Sequence, residues 1–391
     1  MRALDGIRVV SLEHAVAAPL CTRHLADLGA EVVKIERPGE GDFARSYDSF
    51  VHGISSFVVW LNRGKRSVTL DIKQRAAREI LDRLIARADV LVQNLAPGAA
   101  ARLGLTHAAL SPGNPRLIVC DISGYGVGGP FGDKKAYDLL IQAESGLISV
   151  TGTPEQPSRV GISAADIATG MYAQSAILAA LLRRERNGQG ANVTIAMLDA
   201  LAEWMTYPMY RTVYGDSPLP RQALNHPALA PYGAHRTKDG QVIFGLQNER
   251  EWAVFCTKVM GLPDWATDPR YCNNSARREH REELTAEIEA FFTDKTSLDI
   301  VALLDAAGIA NGRLNDTRDL WDHPQLAARD RWRDIASPVG PLRALLPAVT
   351  FTDTEAAMGE VPALGQHTDA VLAELGYAPA DIAAMRAAGA V

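Results

Sequence analysis

Ile7-Arg-Val-Val-Ser-Leu-Glu-His-Ala-Val-Ala-Ala-Pro-Leu-Cys-Thr-Arg-His-Leu-Ala-Asp-Leu-Gly-Ala-Glu-Val-Val-Lys-Ile-Glu36 reads as strand, helix, strand. Ile7–Leu12 is a short β-branched run. Ala17–Leu28 is helix-like and stops at Gly29, and Glu31–Glu36 is a second strand. The alternation continues outward from there. Ser67–Asp71 is a strand, and Gln74–Ala88 has helical spacing at Ile80, Leu81, Leu84 and Ile85. Asp89–Gln93 and Arg116–Ile122 are strands again. This rhythm predicts an α/β fold with a mostly parallel sheet covered by helices. Ligands of such sheets sit at the carboxyl ends of the strands. The loops to watch are therefore His14–Pro19, Arg37–Arg45, Asn94–Gly98 and Ser123–Lys135.

With 391 residues, two domains are expected. Apolar residues make up 47% and charged residues 22%, which suits a large core and argues against disorder. The net charge of −6, without a basic block, argues against nucleic acid or anionic membrane as partners. The N-terminus lacks the apolar core of a signal peptide, and no apolar run approaches a bilayer span. The four cysteines (Cys21, Cys120, Cys256, Cys272) are scattered and read as free thiols of a cytoplasmic protein. The histidines show no metal-binding spacing, so no metal site is expected.

The large domain is expected over residues 1–215, closing with a strand at Asn192–Ala196 and a helix at Leu198–Tyr210. The Pro-rich passage 216–231 reads as a linker. A smaller α+β domain follows over 232–315, with a hairpin turn at Lys238-Asp-Gly240. Its helices are expected at Glu249–Met260, Arg277–Phe292 and Ser297–Ala307. A second linker spans 316–330. Residues 331–391 end in two short helices split at Tyr377-Ala-Pro379.

The chemistry concentrates in a few segments. Gly161-Ile-Ser-Ala-Ala-Asp166-Ile-Ala-Thr-Gly170 opens a long apolar helix that ends at Asn187-Gly188. Asp166 in its first turn faces free N–H groups and the positive dipole end, which favours an ionised carboxylate. It reads as an N-cap or as a nucleophile. Gly124-Tyr-Gly126-Val-Gly128-Gly129 is a glycine-rich loop after a strand, either a turn cluster or a mobile loop beside a ligand. Lys34, Arg37, Arg45, Arg63, Lys65 and Arg66 cluster after two early strands. Arg102 and the pair Lys134-Lys135 follow later ones. Together they suit an anionic ligand with several phosphates. His14 in a strand-end loop is a structural or catalytic histidine. Glu249 opens a helix, where an acidic residue is an expected cap.

These blocks together resemble the class III CoA-transferase family, which includes formyl-CoA transferase, carnitine CoA-transferase and the α-methylacyl-CoA racemases. The resemblance runs from Leu4-Asp-Gly-Ile-Arg-Val-Val10 and Leu28-Gly-Ala-Glu-Val-Val-Lys-Ile-Glu-Arg-Pro-Gly-Glu-Gly-Asp42 through Asn62–Asp71, Val92-Gln-Asn94, Ser123-Gly-Tyr-Gly126 and Asp166-Ile-Ala-Thr-Gly170. It closes with His323-Pro-Gln-Leu326 and Gly365-Gln-His-Thr368.

The resemblance implies a Rossmann-like large domain, a smaller α+β domain and an interlocked homodimer. It implies coenzyme A as the carried group, without metal, nicotinamide or flavin, and Asp166 as nucleophile. It places CoA contacts at Arg37, Asn94, Arg102 and Lys135, joined by Lys65 and Tyr125, with the Tyr125–Gly129 loop over the reaction centre. Gly126 and Gly128 would supply N–H donors there. The racemase branch carries a His where this chain has Tyr137, and a Tyr is a poor base near neutral pH. That favours transfer over α-proton exchange, with a 2-methylacyl-CoA racemase as the alternative. The formyl-CoA branch has a Gln where this chain has Val16, and a glycine run where it has Phe244–Glu251. His14, Val16 and Glu249 are the expected substrate-side positions. The expected activity is CoA exchange between a short dicarboxylic acyl-CoA, such as succinyl- or mesaconyl-CoA, and a free carboxylic acid.

Overall fold

The computed structural model describes residues 1–391. The chain divides into two compact units. The first comprises residues 1–147, 159–207 and 329–391, and the second 148–158 and 208–328.

Six strands build the sheet of the first unit: β1 (Arg8–Leu12), β2 (Glu31–Glu36), β3 (Lys65–Thr69), β4 (Val90–Gln93), β5 (Ile118–Ser123) and β6 (Ala191–Ala196). Their order is β3-β2-β1-β4-β5-β6, and every pairing is parallel. The strands are apolar on both faces, as a sheet covered on both sides requires. Alternation along β1 shows it. Val10 joins Val33, Val68 and Leu91 on one face, while Val9 joins Val32, Val90 and Ile118 on the other.

The helices in chain order are α1 (Ala17–Asp27), α2 (Ser56–Asn62), α3 (Arg75–Ala86), α4 (Ala99–Arg102), α5 (His107–Leu110), α6 (Asp138–Glu144), α7 (Leu147–Val150), α8 (Ala164–Asn187) and α9 (Met197–Trp204). On one face α3 buries Ile80, Leu81, Leu84 and Ile85, joined by Val371, Leu372 and Ile382 from the end of the chain. On the other, α1 offers Ala18, Cys21 and Leu25, and α8 offers Ala173, Ile177 and Leu181. Each fully buried Leu or Ile contributes about 1.5–3 kcal/mol. By length and composition α8 could cross a membrane, contrary to the sequence expectation that no run approaches a span. Here it packs against α1 and the sheet.

The strand order puts a switch point between β1 and β4, where connections leave in opposite directions. The loops after β1, β2, β4 and β5 share one sheet edge with the start of α8, the helix that leads back into β6.

The second unit holds an antiparallel sheet of β7 (Tyr232–Arg236), β8 (Gln241–Gly245) and β9 (Asn311–Arg313). Helices pack Trp252, Phe255, Leu284, Ile288, Phe292 and Ile300 against Phe244. Of the passages expected as linkers, 216–231 belongs to this unit, as does 316–328 of the expected 316–330, with 329–330 in the first unit. Segment 148–158 joins it as well. Arg221 donates to the carbonyls of Ser149, Thr153 and Pro154, and the Ala223 N–H to Gly152. A hairpin of β10 (Trp332–Ile335) and β11 (Leu342–Leu345) in the first unit has no counterpart in the sequence reading.

Candidate active site

Asp166 occupies the third position of α8, whose N-cap is Ser163 without a side-chain cap bond. The cap comes from another helix. Asp138 at the start of α6 accepts from the Ala165 N–H at 2.8 Å and the Asp166 N–H at 3.3 Å through Oδ1. Its Oδ2 accepts from Gln142 Nε2 at 2.7 Å. Asp166 is therefore not the N-cap, and its carboxylate is free for other work.

A glycine lets α1 come close. A Cβ at Gly170 would lie 2.6 Å from the Ala17 carbonyl oxygen, so only glycine permits this contact between α8 and α1. Ile167 packs with Val16, Leu20 and Leu61 on the same seam. The result is that the Ala17 N–H, at the positive end of α1, faces the Asp166 carboxylate.

Burial pushes the half-buried Asp166 carboxyl up to about 7. The Asp138 charge pushes the same way, and the Ala17 N–H pulls it back down. This corrects the sequence expectation of a carboxylate kept ionised by the free N–H groups and dipole of its own helix start. The dipole of α8 that was to favour the charge is already met by Asp138. Tyr47 completes the group. Burial, then Asp42, Asp166 and Tyr137, push its hydroxyl up to about 12. Sequence reasoning did not single out Tyr47 or Asp138. Each becomes visible only when segments far apart in the chain meet. Tyr137 is exposed and immediately precedes α6.

Below this group lies a buried ionic cluster. Lys34 Nζ reaches Asp42 Oδ2 at 2.7 Å and Asn62 Oδ1 at 3.0 Å. Lys65 Nζ reaches Glu13 Oε1 at 2.6 Å and the Pro19 carbonyl at 2.9 Å. Thr22 Oγ1 donates to Glu13 Oε2 at 2.6 Å. Lys65 is about 2% exposed, and burial lowers its ammonium to about 8. It is therefore a buried partner of Glu13 and does not offer its charge to a phosphate. The same correction holds for most of the expected cationic cluster. Lys34 pairs with Asp42, Arg45 with Glu36, Arg63 with Asp27, and Arg66 with Glu31 and Glu374.

Three cations remain at the sheet edge. Arg37 is 73% exposed and touches Glu40 only at 4.0 Å. Arg102 and Lys135 are exposed. They follow β2, β4 and β5, so one anionic ligand lying across the strand ends could meet all three. Asn94 has a different contact here. Its Oδ1 accepts from the His14 N–H and its Nδ2 donates to the His14 carbonyl, both at 2.9 Å. This clamp bridges β1 and β4 at the switch point.

His14 stacks on Phe43 with centroids 5.3 Å apart, and its Nδ1 has no hydrogen-bond partner. Burial pulls its pKa down. Val16 is 2% exposed inside an apolar cluster, so its side chain is core rather than a ligand surface. Glu249 belongs to the second unit, where Arg277 Nη1 holds it at 2.7 Å and lowers its pKa.

The glycine loop folds back on itself. Cβ atoms at Gly124 and Gly132 would collide with Ala136 and with the Gly128 backbone. Gly126, Gly128 and Gly129 have positive φ. The Gly126 N–H is taken by Ser123 Oγ at 3.1 Å, so it is not a free donor. Tyr125 packs edge-on against Phe131 in this loop. No group of His, Cys, Asp or Glu converges to hold a metal ion.

A carboxylate relieved of capping and faced by a helix N–H, beside exposed cations at a parallel sheet edge, suits acyl transfer from an anionic carrier. The family model for CoA-transferase family III matches residues 4–368. The chain belongs to that family and is an enzyme, a class III CoA-transferase acting on CoA thioesters and small carboxylic acids. It is 34% identical over 379 residues to the succinyl-CoA:glutarate CoA-transferase of Mus musculus, covering 96% of this chain and 87% of the relative. It is 33% identical over 410 residues to the formyl-CoA:oxalate CoA-transferase of Escherichia coli O157:H7, covering 98% of both. Among solved structures, a CAIB/BAIF family protein from Brucella suis superposes with a TM-score of 0.87 at 33% identity, covering 96% of this chain and 99% of that one.

Proposed function

We propose that the enzyme moves CoA between a short dicarboxylic acyl-CoA, of the succinyl or mesaconyl type, and a free carboxylic acid, with Asp166 as the covalent carrier. The observation behind this reading is the Asp166 carboxylate, left free because Asp138 caps the start of its helix, and faced by the Ala17 N–H. An Asp166 oxygen attacks the thioester carbonyl, the C–S bond breaks, and CoA leaves as thiolate beside a mixed anhydride. The thiolate attacks the Asp166 acyl carbon, the anhydride C–O bond breaks, and the donor acid leaves as carboxylate. The acceptor carboxylate runs the two steps in reverse and restores Asp166. No net proton is needed, which suits a site without a strong base.

Each tetrahedral intermediate carries an oxyanion. The Ala17 N–H at the positive end of α1 is placed to meet it. Arg37, Arg102 and Lys135 hold the phosphates of CoA. The 124–129 loop covers the anhydride and keeps water out. The dicarboxylate assignment is supported by the mouse relative, whose name specifies succinyl-CoA and glutarate. The large unit acts as a Rossmann-like CoA-binding domain, and the enzyme works in the cytoplasm as an interlocked homodimer.

The test is peptide mass spectrometry after incubation with succinyl-CoA and trapping by borohydride or hydroxylamine. A modified Asp166 is expected, and Asp166→Ala is expected to bind CoA without turnover. No adduct with succinyl-CoA but one with formyl-CoA would move the substrate to the oxalate type. Deuterium uptake into a 2-methylacyl-CoA without any adduct would replace transfer by α-proton exchange.

A further inference from the structure

Three consecutive backbone groups before α1 are gripped by side chains from distant strands and loops. Asn94 holds the His14 N–H and carbonyl at 2.9 Å each. Asp42 Oδ1 accepts from the Ala15 N–H at 3.1 Å and from the Ala44 N–H at 3.0 Å. Between these grips Ala15 adopts φ +60°, a left-handed conformation that a residue with a Cβ rarely takes without support. Two residues later the chain enters α1, and its Ala17 N–H faces Asp166.

Asp42 is itself buried at 2% exposure and fixed from several sides. Lys34 of β2 binds its Oδ2, Glu36 accepts from its backbone N–H at 3.0 Å, and His14 Nδ1 stands 3.9 Å from Oδ1. Glu13 lies 3.7 Å from the same lysine, and Lys65 ties Glu13 to the first turn of α1. This is more machinery than a surface turn needs.

We propose that Asp42 is a positioning residue for Asp166: its grip on Ala15 sets the entry angle of α1, and with it the aim of the Ala17 N–H. The role rests on Asp166 being the nucleophile. The groups facing Asp166 are Asp138 from α6, Tyr47 after the 43–46 turn, and the Ala17 N–H. Only the last depends on Ala15.

The sign of the effect separates positioning from plain electrostatics. Removing the negative charge of Asp42 acts through space to make Asp166 more acidic. Losing the aim of Ala17 makes it less acidic, because a donor to the ionised form is lost. The readout is the carboxyl resonance of 13C-labelled Asp166, titrated in ligand-free protein and assigned by its loss in Asp166→Asn. Asp42→Ala is expected to move the midpoint up by about one pH unit, the size expected for one lost bond to a carboxylate. Near pH 7 that lowers kcat/KM about five-fold. Asp42→Asn keeps an acceptor for Ala15 without the charge, and its midpoint is expected at or below that of the wild type. Ala15→Gly suits the left-handed turn and keeps its N–H on Asp42, so its midpoint is expected to stay at the wild-type value. Should Asp42→Ala fail to fold, Asn94→Ala, which frees the His14 N–H and carbonyl on the other side of the turn, decides by the same rise. A midpoint that does not rise in folded Asp42→Ala or Asn94→Ala, or one that rises in Asp42→Asn, overturns the proposal. Because the titration needs no substrate, it is read independently of whether an Asp166 adduct forms.

Discussion

Replacing Asp166 by Asn is expected to stabilise the first unit, and to do so more at the higher pH. Burial, with the Asp138 charge behind it, holds the Asp166 carboxyl at about 7 against an ordinary 3.8. Between these values the folded protein keeps a proton that the unfolded chain has released. Stability therefore falls as pH rises through that window, and above 7 the whole penalty is in place. About three pH units at about 1.36 kcal/mol each set an upper bound of about 4 kcal/mol. Solvent reaching a half-buried carboxylate, and its coupling to Asp138, reduce this to about 2 kcal/mol. Asn has no charge to desolvate. At about 2–4 °C per kcal/mol, the variant should unfold about 4–8 °C higher at pH 8 and about 1.5–3 °C higher at pH 5, where only the part of the window above 3.8 has been crossed. Calorimetry on ligand-free protein at both pH values measures it. An equal difference at the two pH values, or a variant less stable at pH 8, would refute the burial argument.

Other perturbations test neighbouring parts of the site. Asp138→Asn keeps an acceptor for the start of α8 but removes the charge, so the acid limb of kcat/KM should move to lower pH; an unmoved limb would show that Asp138 does not set the Asp166 carboxyl. Gly170→Ala forces a Cβ toward the Ala17 carbonyl and should cost about 1–3 kcal/mol in urea unfolding along with most of the turnover. Wild-type behaviour would mean that α1 can retreat freely. Arg102→Ala and Lys135→Ala should each raise KM for acyl-CoA about ten-fold with kcat little changed, and the effect should shrink in high salt. A kcat effect in place of a KM effect would contradict phosphate binding.

The sheet was legible because its strands are short β-branched runs, as at Glu31–Glu36, separated by helices with clear apolar stripes. α2 was not, because Ser56-Phe-Val-Val-Trp60 carries residues that favour strands. Its helix forms because Val58 and Leu61 fill apolar clusters of the first unit. The hairpin of β10 and β11 lay hidden in a polar stretch with weak alternation. At the site, Asp166 stood out by its place in an apolar helix. Lys34 and Lys65 misled, since a strand lysine looks like a phosphate ligand until Glu13 and Asp42 are seen beside it. The role of Asp138 depends on which helix it meets 28 residues on, and no local pattern encodes that.

The last stretch of the chain carries a consequence for biosynthesis. Val371, Leu372, Ile382 and Val391 belong to the same apolar layer as β1 to β3. Thr368 hydroxyl bonds to Thr69, and the Asp71 N–H to the Ala390 carbonyl. A ribosome that has finished Tyr207 must still make the whole of 208–328 and then run on to Val391 before all these partners appear. At about 5–20 residues per second that leaves the face of β3 uncovered for on the order of 10–40 s. During that interval the nascent sheet is an open apolar template. Holding chaperones and translation speed over that middle segment, as much as the final stability, should govern how much soluble enzyme a cell recovers.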